Sequence, residues 1–246
     1  MGATKRGYIG ERRLDDEPLR AAKARKLLAM AQAAGLDTVS SICLDVGCAL
    51  GLITKHLAPA FRQTVGLEYD PEGIAAAGRW SGARLAFVRG DGLRLPIADG
   101  SVDVVVCAQV YEHVADPQRL MAEIWRVLEP GGVCLFTGPN RLFPFEFHSR
   151  LPFVHWLPFC CTRRFVHRLG RGDAYDARML ALPALRRLMA GFEIRDLTVE
   201  MLRDPERYAC SDELGRLAWI GRLPRPLLRG MLPFMPNFNW LLTKRG

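Results

Sequence analysis

The stretch LDVGCALG, residues 44–51, decides the reading of this chain. The residues SICLDVG (41–47) form a short apolar run closing on Asp and Gly, the pattern of a strand buried on both faces of a parallel sheet. Gly47 and Gly51 permit a tight strand-to-helix turn and a close backbone approach to a ligand. Residues 51–60 continue as a helix whose first N–H groups are free to face that ligand. The spacing is neither the phosphate loop GxxxxGK[ST] nor the dinucleotide fingerprint GxGxxG.

Working outward, the alternation repeats. QTVGLEYD (63–70), LAFVRGD (85–91), SVDVVVCAQ (101–109) and VCLFTG (133–138) read as strands. Helices are predicted between them at 71–80 and 116–128, the second ended by Gly131 and Gly132. Upstream, residues 18–34 read as a helix with Pro18 in its first turn. Strands alternating with helices at this spacing predict a doubly wound, mostly parallel sheet with helices on both faces.

After Asn140 the regime changes. Residues 141–178 read as an insertion rich in Phe, Pro, His and Arg, with six of the chain's twelve Phe between Phe143 and Phe165. Residues 179–190 read as a helix and 191–202 as a turn plus strand. Residues 203–235 read as short helices broken by Pro, and 237–245 as a final strand. The chain divides on this reading into an N-terminal helical extension (1–36) and one α/β domain (37–246) carrying both insertions.

In an open parallel sheet, ligands bind beyond the carboxyl ends of the strands. Glu68 ends the second strand, where a carboxylate can accept both hydroxyls of a ribose. Asp91 ends the third and is placed to accept from an exocyclic amine. A glycine turn, a ribose carboxylate and an adenine acceptor together describe an adenosine pocket without phosphates.

From Leu44 to Gly138 the chain resembles the class I S-adenosylmethionine-dependent methyltransferases, especially their small-molecule branch. LDVGCALG (44–51), VGLEYDPE (65–72), RGDGLRLPIADGSVDVVVC (89–107), YEHV (111–114) and LEPGG (128–132) carry the resemblance in order. It implies a seven-stranded Rossmann-like methyltransferase fold, with an aromatic and basic lid inserted after strand five. It also implies S-adenosylmethionine as cofactor. On that resemblance Gly47, Cys48, Ala49 and Gly51 pass under the methionine moiety, and Asp45 supports its ammonium group. Glu68 holds the ribose, Tyr69 lies against the adenine, Asp91 and Gly92 face its amine, and Gln109 lines the pocket near the methyl group. One position departs from the pattern: Ala49 stands where the family often has Gly, harmless at negative φ and a disturbance of the cofactor pose at positive φ.

A sulfonium methyl is already activated, so the protein's task is to align a nucleophile in a water-poor site. For a hydroxyl acceptor a general base helps, and His113, just past strand four, is the first candidate. Its bland alternative is a cap of that loop. Tyr111 and Glu112 have weaker claims. Glu146 and His148 are polar residues among Phe143, Phe145, Phe147 and Phe153, where polar groups need a partner or a job. They are the other catalytic candidates, against the plain reading of a packed lid. No metal-ligand spacing is present.

The net charge is +8. Residues 1–140 carry 16 basic and 16 acidic residues, and residues 141–246 carry 18 and 10, so the whole excess lies in the second part. That excess fits a solvated arginine face, an anionic substrate or a membrane surface met through residues 141–172. The seven Cys are odd in number and without CxxC, which suits reduced thiols. The N-terminus lacks an apolar segment and no 18-residue apolar run occurs, so the expected location is cytoplasmic, at most peripheral at the inner membrane face. Nucleic-acid methylation is disfavoured, because strand four ends AQVYEH, without the Asn/Asp-Pro-Pro-Tyr tetrapeptide or a Pro-Cys nucleophile. The preferred acceptor is a small-molecule, lipid-like or saccharide hydroxyl; a nucleic-acid methyltransferase and a non-catalytic binding protein are the rivals.

Overall fold

The computed structural model describes residues 15–146, 151–153, 156–157, 161–162, 164, 168 and 178–245. Five strands follow the alternation: β1 (Ile42–Val46), β2 (Gln63–Glu68), β3 (Leu85–Arg89), β4 (Val102–Ala108) and β5 (Leu128–Pro139). A two-stranded ribbon, β6 (Phe145–Glu146) and β7 (Leu151–Pro152), lies in the insertion. The strands β8 (Phe192–Asp196) and β9 (Asn237–Lys244) complete the main sheet. Its order is β3-β2-β1-β4-β5-β9-β8, with only β9 antiparallel to its neighbours. The expected seven-stranded, mostly parallel sheet is therefore what forms.

Burial explains the central position of β4. Val104, Val105, Val106 and Cys107 are all fully buried, as in a strand covered on both faces. Successive side chains alternate between two cores. Val105 and Cys107 join Leu44, Leu120, Ile124, Phe136 and Trp240 beneath α4 (Pro117–Val127) and α5 (Leu182–Leu188). Val104 and Val106 join Leu27, Met30, Leu57, Leu135 and Met201 beneath α1 (Glu17–Ala33), α2 (Leu52–Leu57) and α6 (Thr198–Arg203). Each such buried aliphatic contributes ~1.5–3 kcal/mol.

The helix starts follow from local chemistry. Asp16, Asp70 and Asp116 accept from Leu19 N, Glu72 N and Arg119 N, at 3.1, 3.2 and 3.0 Å, capping α1, α3 (Pro71–Ala77) and α4. Prolines at 18, 71 and 117 sit in the first turns, where no amide partner is lost.

Two elements differ from the sequence reading. Gly131 and Gly132 do not end α4, which stops at Val127, because β5 already begins at Leu128, paired with Val102. The glycines serve an irregularity of β5: Gly131 has φ 84°, and a Cβ on Gly132 would lie 3.0 Å from the Glu129 carbonyl. Residues 191–202, read as turn plus strand, divide into β8 and α6, because Asp196 Oδ1 accepts from Thr198 N at 2.9 Å and turns the chain into a helix.

The strand order reverses between β1 and β4, so the loops after β1 and β4 diverge over one crevice. Because β9 is antiparallel, Asn237 pairs with Pro139, and the segment entering β9 arrives at the same edge.

Candidate functional site

The turn after β1 is built around its backbone. Gly47 N and Cys48 N both donate to the Leu67 carbonyl, at 2.8 and 3.0 Å, and Gly51 N donates to the Cys48 carbonyl at 2.9 Å. Gly47 and Gly51 have φ 74°, a left-handed conformation that glycine adopts without strain. A Cβ on Gly47 would lie 2.9 Å from a Val110 methyl, and one on Gly51 would lie 2.7 Å from the Phe87 ring. Ala49 has φ 50°, so the departure from the family pattern falls on a position that favours glycine. The strained backbone is tied down, since Ala49 N donates to Glu68 Oε2 at 2.8 Å.

Glu68 is the joint of the site. Its Oε1 accepts from Tyr69 N and Asp70 N at 2.8 and 2.9 Å, so one carboxylate binds three amides across two loops. A carboxylate offers about four acceptor positions, which leaves room for a hydroxyl. Asp45 lies beneath, buried, with Oδ2 accepting from the Thr54 hydroxyl at 2.7 Å. Burial, opposed by Thr54 and reinforced by the negative charge of Glu68, pushes its carboxyl up to about 7. Burial also pushes the Cys48 thiol up, which makes it a packing residue rather than a nucleophile.

The third strand end is held close. Gly90 N donates to the Glu68 carbonyl at 3.0 Å, and Asp91 Oδ1 accepts from Leu93 N at 2.9 Å. A Cβ on Gly92 would meet Leu120 at 3.1 Å. Arg126 fastens this loop to α4 by donating to the Ile97 and Leu95 carbonyls at 2.8 and 2.9 Å. Glu123 accepts from Leu95 N at 2.9 Å, and its pairing with Arg126 holds its carboxyl below the ordinary range. Tyr69 is 68% exposed, a mostly open ring at the mouth of this crevice.

Gln109 has φ 61°, donates from its backbone to the Thr137 carbonyl at 2.8 Å, and from Nε2 to Asn237 Oδ1 at 3.2 Å. Tyr111 is fully buried, with its hydroxyl donating to the Pro139 carbonyl at 2.6 Å and accepting from Leu180 N at 3.1 Å. It braces both ends of the insertion after β5. His113 is half-buried, with Nε2 3.7 Å from Glu112 Oε1. The Glu112 carbonyl accepts from Arg178 N at 2.7 Å. The side chain of Glu146 and the whole of His148 lie outside the described residues.

The structure thus brings Asp45, the 47–51 turn, Glu68, Asp91 and Gly92 to one edge, with His113 on the facing loop. Sequence reasoning missed Thr54 and Asn237, which bond Asp45 and Gln109, and Phe87 and Val110, which pack beside Gly51 and Gly47; as common polar or apolar residues they carry no motif. It found α1 but not its tie to the C-terminal part, where Lys26 donates to both oxygens of Glu213 at 2.8 and 2.9 Å. Burial, with the neighbouring charges of Arg20 and Lys26, pushes Lys23 down to about 8. Among the described residues no group of three metal-binding side chains converges.

Comparison with known proteins agrees with this geometry. Residues 44–136 match the family described as a methyltransferase domain. That stretch is similar to a class I S-adenosylmethionine-dependent methyltransferase domain. An uncharacterized methyltransferase of Mycolicibacterium gilvum is 38% identical over 144 residues, 58% of this chain and 56% of the relative. A Mycolicibacterium smegmatis protein, named a probable S-adenosylmethionine-dependent methyltransferase, is 41% identical over 99 residues, 40% of this chain and 38% of the relative. The chain spans less than two thirds of the length of either relative. The solved S-adenosylmethionine-dependent methyltransferase of Mesorhizobium loti shares the fold, with a TM-score of 0.56 at 16% identity over 87% of this chain and 95% of that one. The residues present fit the cofactor of the class: Gly47 and Gly51, both at φ 74°, shape a tight turn beside the buried acids Asp45 and Glu68.

Proposed function

We propose that the protein transfers the methyl group of S-adenosylmethionine to a hydroxyl of a small-molecule, lipid-like or saccharide acceptor. The observation that carries the reading is the turn 47–51 bound through Ala49 to Glu68 over Asp45. Gly47, Cys48, Ala49 and Gly51 pass under the methionine moiety and Asp45 faces its ammonium group. Glu68 accepts from the ribose, Tyr69 lies on the adenine, Asp91 and Gly92 meet its amine, and Gln109 closes the pocket near the methyl group. S-adenosylmethionine supplies a methyl on a positively charged sulfur, which needs alignment rather than further activation.

His113 supplies the base. Its Nε2 lies 3.7 Å from the Glu112 carboxylate, and the imidazole takes the proton of the acceptor hydroxyl. Glu112, buried, then stabilises the imidazolium. Glu146 and His148 are the alternative bases.

Calorimetric titration with S-adenosylmethionine tests the pocket. Micromolar binding that Glu68→Ala weakens at least ~30-fold is expected, since each lost charge-assisted hydrogen bond costs ~1.5–3 kcal/mol. No binding by the unsubstituted protein would overturn the reading in favour of a non-catalytic fold member. Hydroxylated lipids and glycans are then screened as acceptors, with His113→Ala and His148→Ala separating the two bases.

A further inference from the structure

The carboxyl edge carries a feature that methyl transfer does not use. After Glu213 the chain has six basic residues, Arg216, Arg222, Arg225, Arg229, Lys244 and Arg245, and no acidic one. Most of this stretch is the helical segment entering β9: a 3-10 turn Gly215–Arg222, the helix α7 (Arg225–Met231) and a second turn Leu232–Phe234. One side is fixed inward. Leu228, Leu232 and Met235 pack with Leu202, and Gly221 sits so tightly on the Leu202 carbonyl that no side chain fits there.

The outward side is apolar where a water-facing helix would be polar. Leu217, Trp219, Leu227 and Phe234 are 56, 58, 51 and 57% exposed. Arg222, Arg225 and Arg229 are exposed among them. Single exposed apolar residues are ordinary, but four large ones on one short segment mark a contact surface. The segment also has a defined place. Asn140 Nδ2 donates to the Pro233 and Met235 carbonyls at 2.7 and 2.8 Å, and Asn140 N donates to the Pro236 carbonyl at 3.0 Å. It is therefore pinned to the root of the insertion after β5, where Phe153, Trp156 and Leu157 are 51, 49 and 42% exposed.

We infer that residues 215–234 seat the protein on an anionic lipid bilayer. Trp219, Leu227 and Phe234 enter the headgroup and acyl boundary, and Arg222, Arg225 and Arg229 meet the lipid phosphates. Trp with bulky aliphatic residues and Arg is the composition of an interfacial segment, and the absence of acidic residues gives the charge complementarity. Leu217 and Leu227 argue for lipid over nucleic acid, because an aliphatic anchor gains nothing on a phosphate backbone. This seat presents the carboxyl edge to the membrane, the side from which a lipid-like acceptor would enter. The inference does not depend on methyl transfer and is measured without cofactor.

The full chain is sedimented with vesicles of phosphatidylcholine alone and of phosphatidylcholine with phosphatidylglycerol. Binding to the anionic vesicles with at least ~10-fold preference is expected, weakened about fivefold per arginine by Arg222→Gln, Arg225→Gln and Arg229→Gln. Leu227→Ser with Phe234→Ser should abolish binding while leaving the circular dichroism and the thermal midpoint unchanged, because both side chains face outward. Trp219 emission should shift to the blue on vesicles, and Trp219→Phe should remove that shift. Equal binding to both vesicle types, or anionic binding that the Leu227→Ser, Phe234→Ser variant retains, overturns the inference. Stronger binding to single-stranded RNA than to anionic vesicles, untouched by that variant, also overturns it.

Discussion

Replacing Asp45 by Asn should stabilise the cofactor-free protein and weaken cofactor binding. The Asp45 carboxyl is buried, with Thr54 donating to it at 2.7 Å and the charge of Glu68 nearby, and it is pushed up to about 7. In the unfolded chain the same group titrates near 3.9. Between these values the folded state binds more protons than the unfolded one. Stability therefore falls as pH rises from about 4 to about 7, and stays lowered above that. About three units at 1.36 kcal/mol each make this cost up to about 4 kcal/mol near pH 8. Asn keeps the shape and an oxygen for the Thr54 hydroxyl but cannot ionise. Urea denaturation of Asp45→Asn and the unsubstituted protein, near pH 5 and near pH 8, measures the difference. The variant should be more stable near pH 8, and the gap should narrow towards pH 5. On the proposed function, the variant should also bind S-adenosylmethionine more weakly, since the charge proposed to face the ammonium group is gone. A variant destabilised equally at both pH values would show that an ionised Asp45 supports the fold, and the reasoning would fall.

Ala49→Gly and Gly51→Ala should act in opposite directions. Ala49 holds φ 50°, so Gly there relieves left-handed strain and raises stability by about 1 kcal/mol in denaturant titrations. Gly51 holds φ 74° with a Cβ position 2.7 Å from the Phe87 ring, so Ala should cost more than ~2 kcal/mol. Tyr111→Phe removes the hydroxyl that joins Pro139 to Leu180 and should cost ~1–3 kcal/mol, with faster amide exchange at Leu180 as its local mark.

Much of this protein was legible before its structure. The run 101–109 contains four consecutive side chains that the fold buries completely, and an uninterrupted apolar run leaves little choice but a central parallel strand. The helices read at 71–80 and 116–128 start where expected, because an Asp cap and a first-turn proline are local chemistry. The glycine pair at 131–132 misled for the same reason: glycine marks a backbone need without saying whether a helix stop or a strand irregularity has it.

By itself the sequence determined the strand–helix alternation, the glycine turn and the acids at the strand ends, since these rest on period and local conformation. Only the tertiary structure decided how they are used. It showed that Glu68 cross-links the turn at Ala49 to its own strand end, that Ala49 takes a left-handed conformation, and that Tyr111 is a brace rather than a base. It also placed the apolar, arginine-bearing segment 215–234 beside the insertion root, through Asn140. The Asn140 bonds join residues more than ninety positions apart, and the bond from Ala49 to Glu68 spans nineteen, so no local pattern in the sequence records them.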